Sequence, residues 1–161
     1  RTEDVDNIQI EVGTVGLQMV AHPPELKSNP KNVVEGQFSV YFAAAASIVD
    51  GHYRWSSYDL LNTPAVTELM NRTSIVYNPD LGDALESCVT IGFSDGRLLS
   101  RRVTFPKGEP ENPLTLEEMR AKFNEWAVPV VGADKAEKVV ELVQRLEELE
   151  SLEELAANLY L

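Results

Sequence analysis

Cysteine and histidine are scarce in this sequence of 161 residues, and their scarcity excludes several kinds of site. One cysteine, Cys88, cannot build a disulfide framework, a four-cysteine zinc site or a protein-only iron–sulfur cluster. The two histidines, His22 and His52, lie far apart and without the spacing that metal coordination needs. We therefore expect no metal site in this chain.

Positive charge is also scarce. Lys and Arg together number 14 against 26 Asp and Glu, which gives a net charge of −12. A nucleic-acid-binding surface should be basic, and docking to anionic membranes needs basic residues too, so neither partner is expected. No apolar run approaches the length of a membrane span. The single cysteine fits a reducing compartment, and we expect a cytoplasmic protein.

The chain has enough apolar residues to form a hydrophobic core, because 43% of them are hydrophobic. A length of 161 residues corresponds to one domain, and we expect a single α+β domain over residues 1–161. The chain begins Arg1-Thr2 and comes almost at once to a strand-like segment. We therefore interpret it as a part of a longer protein.

Alternating and helical patterns divide the chain into successive elements. The predicted order is a strand over 5–20, a loop over 21–32, a helix over 33–50, a short helix near 58–61, a helix from Pro64, strands over 74–77, 87–93 and 97–105, a helix from Leu116 to about Trp126, and helical structure over 133–160. Gly51 is placed to end the helix 33–50, and Thr115 with Glu118 forms a capping box. A break in the last helical region is expected at Ser151.

The segment Ser94-Asp95-Gly96 lies between two alternating runs, which is the strongest short-range signal of a hairpin. A hairpin excludes an all-parallel sheet. The simplest architecture is an antiparallel sheet with helices packed on one face, a two-layer α+β sandwich.

Polar side chains accompany the first turns of the predicted helix 33–50, namely Gln37, Ser39 and Tyr41. Because a helix N-terminus attracts anions, a carboxylate ligand could bind near Ser39. The alternative is structural: Ser39 is then a small helix residue and Tyr41 a half-buried packing residue. Lys107, in the loop after the hairpin, is likewise either a substrate ligand or a surface turn residue.

Two segments resemble a known family. Gln37-Phe38-Ser39-Val40-Tyr41-Phe42, followed by alanines and Asp50-Gly51, is similar to the "FSxxY…A…LLDG" helix of the MmgE/PrpD family. Pro106 to Thr115, PKGEPENPLT, after Asp95-Gly96 and before Lys122-Phe123, resembles that family's "DG…PKGxPxNPLT…E…KF" signature. The two motifs occur in the family's order and cover its C-terminal part.

The resemblance implies a function. The family includes 2-methylcitrate dehydratase, cis-aconitate decarboxylase and iminodisuccinate epimerase, which act on small di- and tricarboxylic acids without a metal or organic cofactor. Their architecture is a large helical domain and a smaller α+β domain, with the active site between them. The chain would then be the C-terminal domain of a lyase. Alternatives are an epimerase, or a non-catalytic ligand-binding or assembly module.

The resemblance also implies roles for individual residues. Tyr41 would be catalytic, and Ser39, Gln37 and Lys107 would bind the substrate. The position of the family tyrosine is occupied by Phe42, with Tyr41 beside it. The general base would lie in a missing N-terminal helical domain, on which the helices of residues 133–161 would pack. The isolated chain would then be inactive, and the full-length protein a homodimer.

Overall fold

The computed structural model describes residues 2–82 and 85–160. Within them the chain separates into two compact units, one ending at Pro106 and one beginning at Lys107. The first unit contains the sheet, and the second is helical. Each is described by itself.

The first unit is built on a sheet that has four strands in the described residues. The strands are β1 (Val5–Val12), β2 (Thr73–Tyr77), β3 (Ser87–Phe93) and β4 (Leu98–Val103). Their order across the sheet is β2-β1-β3-β4. Strand β1 pairs with β3 in antiparallel fashion, and β3 with β4 likewise.

Helices connect the strands of this unit. They are α1 (Thr14–Gly16), α2 (Pro24–Lys27), α3 (Val33–Gln37), α4 (Val40–Asp50) and α5 (Pro64–Asn71). A π-helical turn covers Leu17–Ala21, and 3-10 turns cover Thr2–Asp4, Trp55–Leu60 and Pro79–Leu81.

The core of the first unit lies between β1 and the helices α4 and α5. Strand β1 alternates, so that Ile8, Ile10 and Val12 are buried on one face while Gln9 and Glu11 lie on the other. Phe42, Ala45 and Ala46 supply the buried surface of α4, and Val66, Leu69 and Met70 that of α5. The small alanine side chains allow the backbone of α4 to lie close to its neighbours. The α+β class predicted from the sequence is confirmed.

The pairing of β1 with β2 is parallel, so the expectation of an antiparallel sheet was wrong for this pair. The connection from β1 to β2 runs through α4 and α5, which returns the chain to the same end of the sheet. A parallel neighbour needs such a crossover, whereas a two-residue hairpin can join only antiparallel strands. The result is a mixed sheet.

The first strand is shorter than the predicted segment 5–20, because it ends at Val12 and the chain then becomes helical. The turn occurs at Gly13, where a Cβ atom would lie only 2.3 Å from the carbonyl oxygen of Gly82. Only glycine allows such a close approach of two backbone segments.

The predicted helix 33–50 is two helices, α3 and α4, separated by Phe38 and Ser39. Ser39 has an extended backbone, with φ −122° and ψ 108°, and caps α4 instead of lying inside a helix. A serine side chain competes for backbone N–H groups in this way, which favours caps over helix interiors. Gly51 ends α4 in the left-handed region with φ 76°, as predicted.

The hairpin between β3 and β4 is confirmed. The amide of Phe93 donates to the carbonyl of Arg97 at 2.9 Å, and Gly96 has φ 85°. Strand β4 is shorter than the predicted segment 97–105 and lies at an edge of the sheet.

The second unit contains the helices α6 (Leu116–Val131), α7 (Ala133–Gln144) and α8 (Glu153–Leu159), with a 3-10 turn over Leu146–Glu148. Helix α6 continues past the predicted end at Trp126, and Pro129 lies inside its last turn. The expected break at Ser151 is wider and runs from Arg145 to Leu152. Ala136, Val139 and Leu142 of α7 are buried. No helix in the described residues is long and apolar enough to cross a membrane.

Candidate functional site

Ser39 lies at the start of α4 and is only 1% exposed. Its Oγ accepts a hydrogen bond from the amide of Phe42 at 3.0 Å and donates one to the carbonyl oxygen of Lys27. The hydroxyl therefore ties the start of α4 to the end of α2. Both bonds occupy the hydroxyl within the chain, so the geometry gives Ser39 a structural part, and its contact with substrate stays a prediction.

Tyr41 is in the first turn of α4, and its side chain belongs to the core with 8% exposure. Its hydroxyl has no hydrogen-bond partner among the described residues. Among the described residues, Asn124 Oδ1 is the only side-chain oxygen or nitrogen that is both fully buried and without a partner. Because the Tyr41 hydroxyl also has no partner, it is not fully buried and is in contact with solvent. Burial raises the pKa of the Tyr41 phenol above its usual value. The group stays protonated at neutral pH and can donate a hydrogen bond or a proton.

The start of α4 offers further donors. The amides of Val40 and Tyr41 have no acceptor in the described residues, as expected for the first turn of a helix. Gln37 is exposed and is the last residue of α3, so it precedes α4. This corrects its predicted place in the first turns of one helix shared with Ser39 and Tyr41. The predicted residues Gln37, Ser39 and Tyr41 thus lie within five positions of each other around one helix start.

Lys27 also belongs to this region, which no pattern in the sequence indicated. The hydrogen bond from Ser39 brings the end of α2 to the start of α4. The Nζ atom of Lys27 lies 5.5 Å from the centre of the Phe38 ring, and no carboxylate among the described residues pairs with it. A cation and an electropositive helix end are therefore near each other in an acidic chain.

Phe42, at the position that the resemblance assigns to a tyrosine, is a packing residue with no exposed surface. Its ring stacks on Tyr58 at 5.7 Å between centres and meets the edge of Tyr53 at 6.2 Å. The hydroxyl of Tyr53 donates to that of Tyr58 at 2.9 Å. Burial, and secondarily the bond with Tyr58, raises the pKa of Tyr53.

Lys107 belongs to the second unit. Its Nζ lies 3.0 Å from Oε2 of Glu118, and the same carboxylate accepts from the amide of Thr115 at 2.8 Å. The amide of Glu118 completes the predicted capping box by donating to Thr115 Oγ1 at 3.2 Å. Lys107 therefore holds its loop to the start of α6, and its predicted contact with substrate stays a prediction.

A polar network that the sequence did not indicate lies at the other end of α4. Oδ2 of Asp50 accepts from the buried hydroxyl of Ser57 at 2.9 Å and lies 3.2 Å from Nε2 of His52. Ser57 accepts in turn from the amide of Arg54 at 3.0 Å, so the network fixes the turn after α4. No cluster of His, Cys, Asp and Glu in the described residues could hold a metal ion.

Comparisons with known proteins agree with the resemblance seen in the two motifs. The family model of the MmgE/PrpD C-terminal domain matches residues 1–148. Cis-aconitate decarboxylase of Mus musculus is 29% identical over 115 residues, which cover 68% of this chain and 24% of that protein. The matched region is thus about a quarter of the relative's length. Because the family model covers most of the sequence, this chain belongs to the MmgE/PrpD family, as a C-terminal domain.

Proposed function

We propose that this chain is the C-terminal part of a lyase, a dehydratase or decarboxylase that acts on a small di- or tricarboxylic acid such as 2-methylcitrate or aconitate. The observation that carries the proposal is the family match, together with the similarity to a protein named cis-aconitate decarboxylase. The geometry at the start of α4 supports it, because the features there suit an anionic ligand.

The start of α4 would contact one carboxylate of the substrate. Free amides at a helix N-terminus favour a negative charge, and the exposed amide of Gln37 could donate a further hydrogen bond. Tyr41 would supply the reacting proton or stabilise developing negative charge, since its raised pKa keeps the phenol protonated. Ser39 would act mainly by holding the helix start in place.

The remaining groups would come from elsewhere in the full-length protein. Elimination or decarboxylation of such an acid needs a general base and cationic groups that hold the other carboxylates. We assign both to a helical domain preceding this chain, so that the isolated chain is inactive. We further propose that the full-length protein is a cytoplasmic homodimer without a metal or organic cofactor.

The decisive experiment is turnover by the full-length protein of 2-methylcitrate, citrate, cis-aconitate and iminodisuccinate. Conversion of one of the first three acids supports a lyase, whereas conversion of iminodisuccinate alone supports the alternative of an epimerase. Binding of an acid without turnover would support a non-catalytic module, which the packed Phe42 at the tyrosine position favours. Turnover by the isolated chain would contradict the proposal that the base lies outside it.

The role of Tyr41 has its own test. In the full-length protein, Tyr41→Phe should lower kcat about 100-fold, in the usual range for a lost acid–base group. The melting temperature should stay near that of the wild type, because the hydroxyl has no partner among the described residues. Tyr77→Phe, on β2 outside the start of α4, is the matched control and should keep full activity. Equal kcat in both variants would remove Tyr41 from the mechanism.

A further inference from the structure

Strand β4 forms one edge of the sheet in the first unit. All of its residues, Leu98–Val103, are exposed. Strand β3 pairs with one side of β4, and no strand pairs with the other side in the described residues. Such an edge can accept a further strand through its backbone groups. We call the outer side of β4 the β4 edge.

The hairpin determines which backbone groups lie on the β4 edge. The amide of Phe93 donates to the carbonyl of Arg97 at 2.9 Å, so the backbone of Arg97 faces β3. Because this bonding alternates along an antiparallel strand, the next residues whose N–H and C=O groups face β3 are Leu99, Arg101 and Val103. The residues that have these groups on the β4 edge are Leu98, Ser100 and Arg102. The β4 edge therefore offers both donors and acceptors to another strand.

The side chains of β4 alternate as well. Leu99 and Arg101 lie on the face of the sheet that carries the core, because their partners in β3 pack against it. Leu99 is 57% exposed. Arg101 is also exposed, and no carboxylate among the described residues pairs with it. An unpaired cation thus lies beside an exposed apolar side chain, in a chain whose net charge is −12.

We propose that the β4 edge binds an extended acidic segment of another protein as an additional strand. Backbone hydrogen bonds would supply affinity, and alternate side chains would supply specificity. A carboxylate opposite Arg101 would pair with it, and apolar side chains opposite Leu99 and Val103 would cover them. The recognised pattern is therefore apolar, any residue, acidic, any residue, apolar. This proposal does not depend on the proposed lyase chemistry.

Charge argues against a second copy of β4 as the occupant. The strand contains two arginines and no Asp or Glu, so pairing with itself would bring like charges together and supply no carboxylate. The same arginines attract an acidic strand. The charge of the β4 edge thus discourages self-association and selects the partner.

A fluorescent peptide tests the β4 edge in the full-length protein. The probe carries valine, glutamate and valine at alternate positions, with threonine between them, and the control peptide has lysine in place of glutamate. We expect the probe to bind about tenfold more tightly than the control, because a repulsion replaces an attraction of similar size. Absence of probe binding, or equal binding of the two peptides, would overturn the proposal.

Two variants at Ser100 separate strand addition from other kinds of binding. Ser100→Pro removes an N–H that faces the β4 edge, so the ladder with β3 is kept and the sheet should stay folded. Ser100→Ala is the matched control, since it loses the same hydroxyl, which lies 2.9 Å from that of Thr90, and keeps the N–H. We expect Ser100→Pro to weaken probe binding about tenfold and Ser100→Ala to leave it within about twofold. Equal binding by the two variants would overturn the proposal.

Arg101→Glu keeps the test decisive where the proline variant fails to fold. It should reverse the preference, so that the lysine peptide binds about tenfold more tightly than the glutamate probe. An unchanged preference would overturn the proposal. Light scattering tests a second copy as the occupant: self-association of the wild type that Ser100→Pro abolishes would assign the β4 edge to that copy and overturn the proposal.

Discussion

Replacing Ser39 by alanine removes a buried hydroxyl that joins two segments of the first unit. The change eliminates the cap of α4, which is typically worth about 1 kcal/mol. It also removes the donor to the carbonyl oxygen of Lys27, and a lost hydrogen bond of this kind costs about 1 kcal/mol more. We expect Ser39→Ala to lower the free energy of unfolding of this unit by about 2 kcal/mol, or roughly 30-fold in the equilibrium constant.

The chain provides a natural probe for this measurement. It contains two tryptophans, Trp55 before Pro106 and Trp126 after Lys107, so each compact unit has one. In a Trp126→Phe background, the fluorescence of Trp55 reports the unfolding of the first unit in urea. The midpoint shift multiplied by the slope of the transition gives the change in free energy.

Ser47→Ala is the matched control, because it removes another serine hydroxyl from the same helix. Ser47 Oγ donates to the carbonyl of Ala43 at 2.6 Å, inside α4, where alanine has the higher helix propensity. The control should therefore stay within about 0.5 kcal/mol of the wild type. A Ser39→Ala loss of similar size to the control, or a larger loss for Ser47→Ala, would refute the assignment of Ser39 as the tie between α2 and α4.

Two further predictions concern turns and caps. Gly51→Ala should lower the free energy of unfolding of the first unit by about 1–2 kcal/mol, because the φ of 76° is unfavourable for a residue with a Cβ. Thermal unfolding measures this change, and an unchanged melting temperature would contradict this reason. For Glu118, the amide of Thr115 and then the ammonium of Lys107 hold the pKa below its usual value of 4.5. A carboxylate whose pKa is lowered on folding stabilises the helix above pH 4.5 and loses that effect as the pH falls through the lowered value. Helicity of α6 followed by NMR should show this acid transition, and Glu118→Gln should lack it; an identical transition in the variant would assign it to other groups.

Features that depend on neighbouring residues were predictable from the sequence. The hairpin at Asp95-Gly96, the left-handed Gly51 and the capping box of Thr115 with Glu118 each need only a few residues in a row. Turn and cap chemistry is local, so the residue types alone carry the information. The capping box could also have predicted the ion pair of Lys107. It places the carboxylate of Glu118 at the start of α6, eleven positions after Lys107.

Features that depend on distant contacts were not predictable in the same way. The parallel pairing of β1 with β2 joins positions more than sixty residues apart, and no local pattern distinguishes it from an antiparallel pair. The break of the helix before Ser39 is stabilised by the carbonyl of Lys27, which belongs to α2. The periodicity of 33–50 indicated one helix because apolar spacing does not show where a side chain finds an external acceptor.

This chain has its tyrosine at position 41 and a phenylalanine at position 42, where the family pattern has the tyrosine. The difference has a geometric consequence for the proposed chemistry. Successive residues on a helix are turned by about 100°, so Tyr41 cannot present its hydroxyl where a tyrosine at position 42 would present one. Phe42 has no exposed surface and is stacked on Tyr58, which leaves no room for α4 to rotate and exchange the two side chains without breaking that contact. A substrate that reacts with Tyr41 must therefore approach α4 from a different side. This chain and relatives that follow the family pattern would then both have a phenol near the start of α4. They would differ in the side of α4 on which that phenol lies.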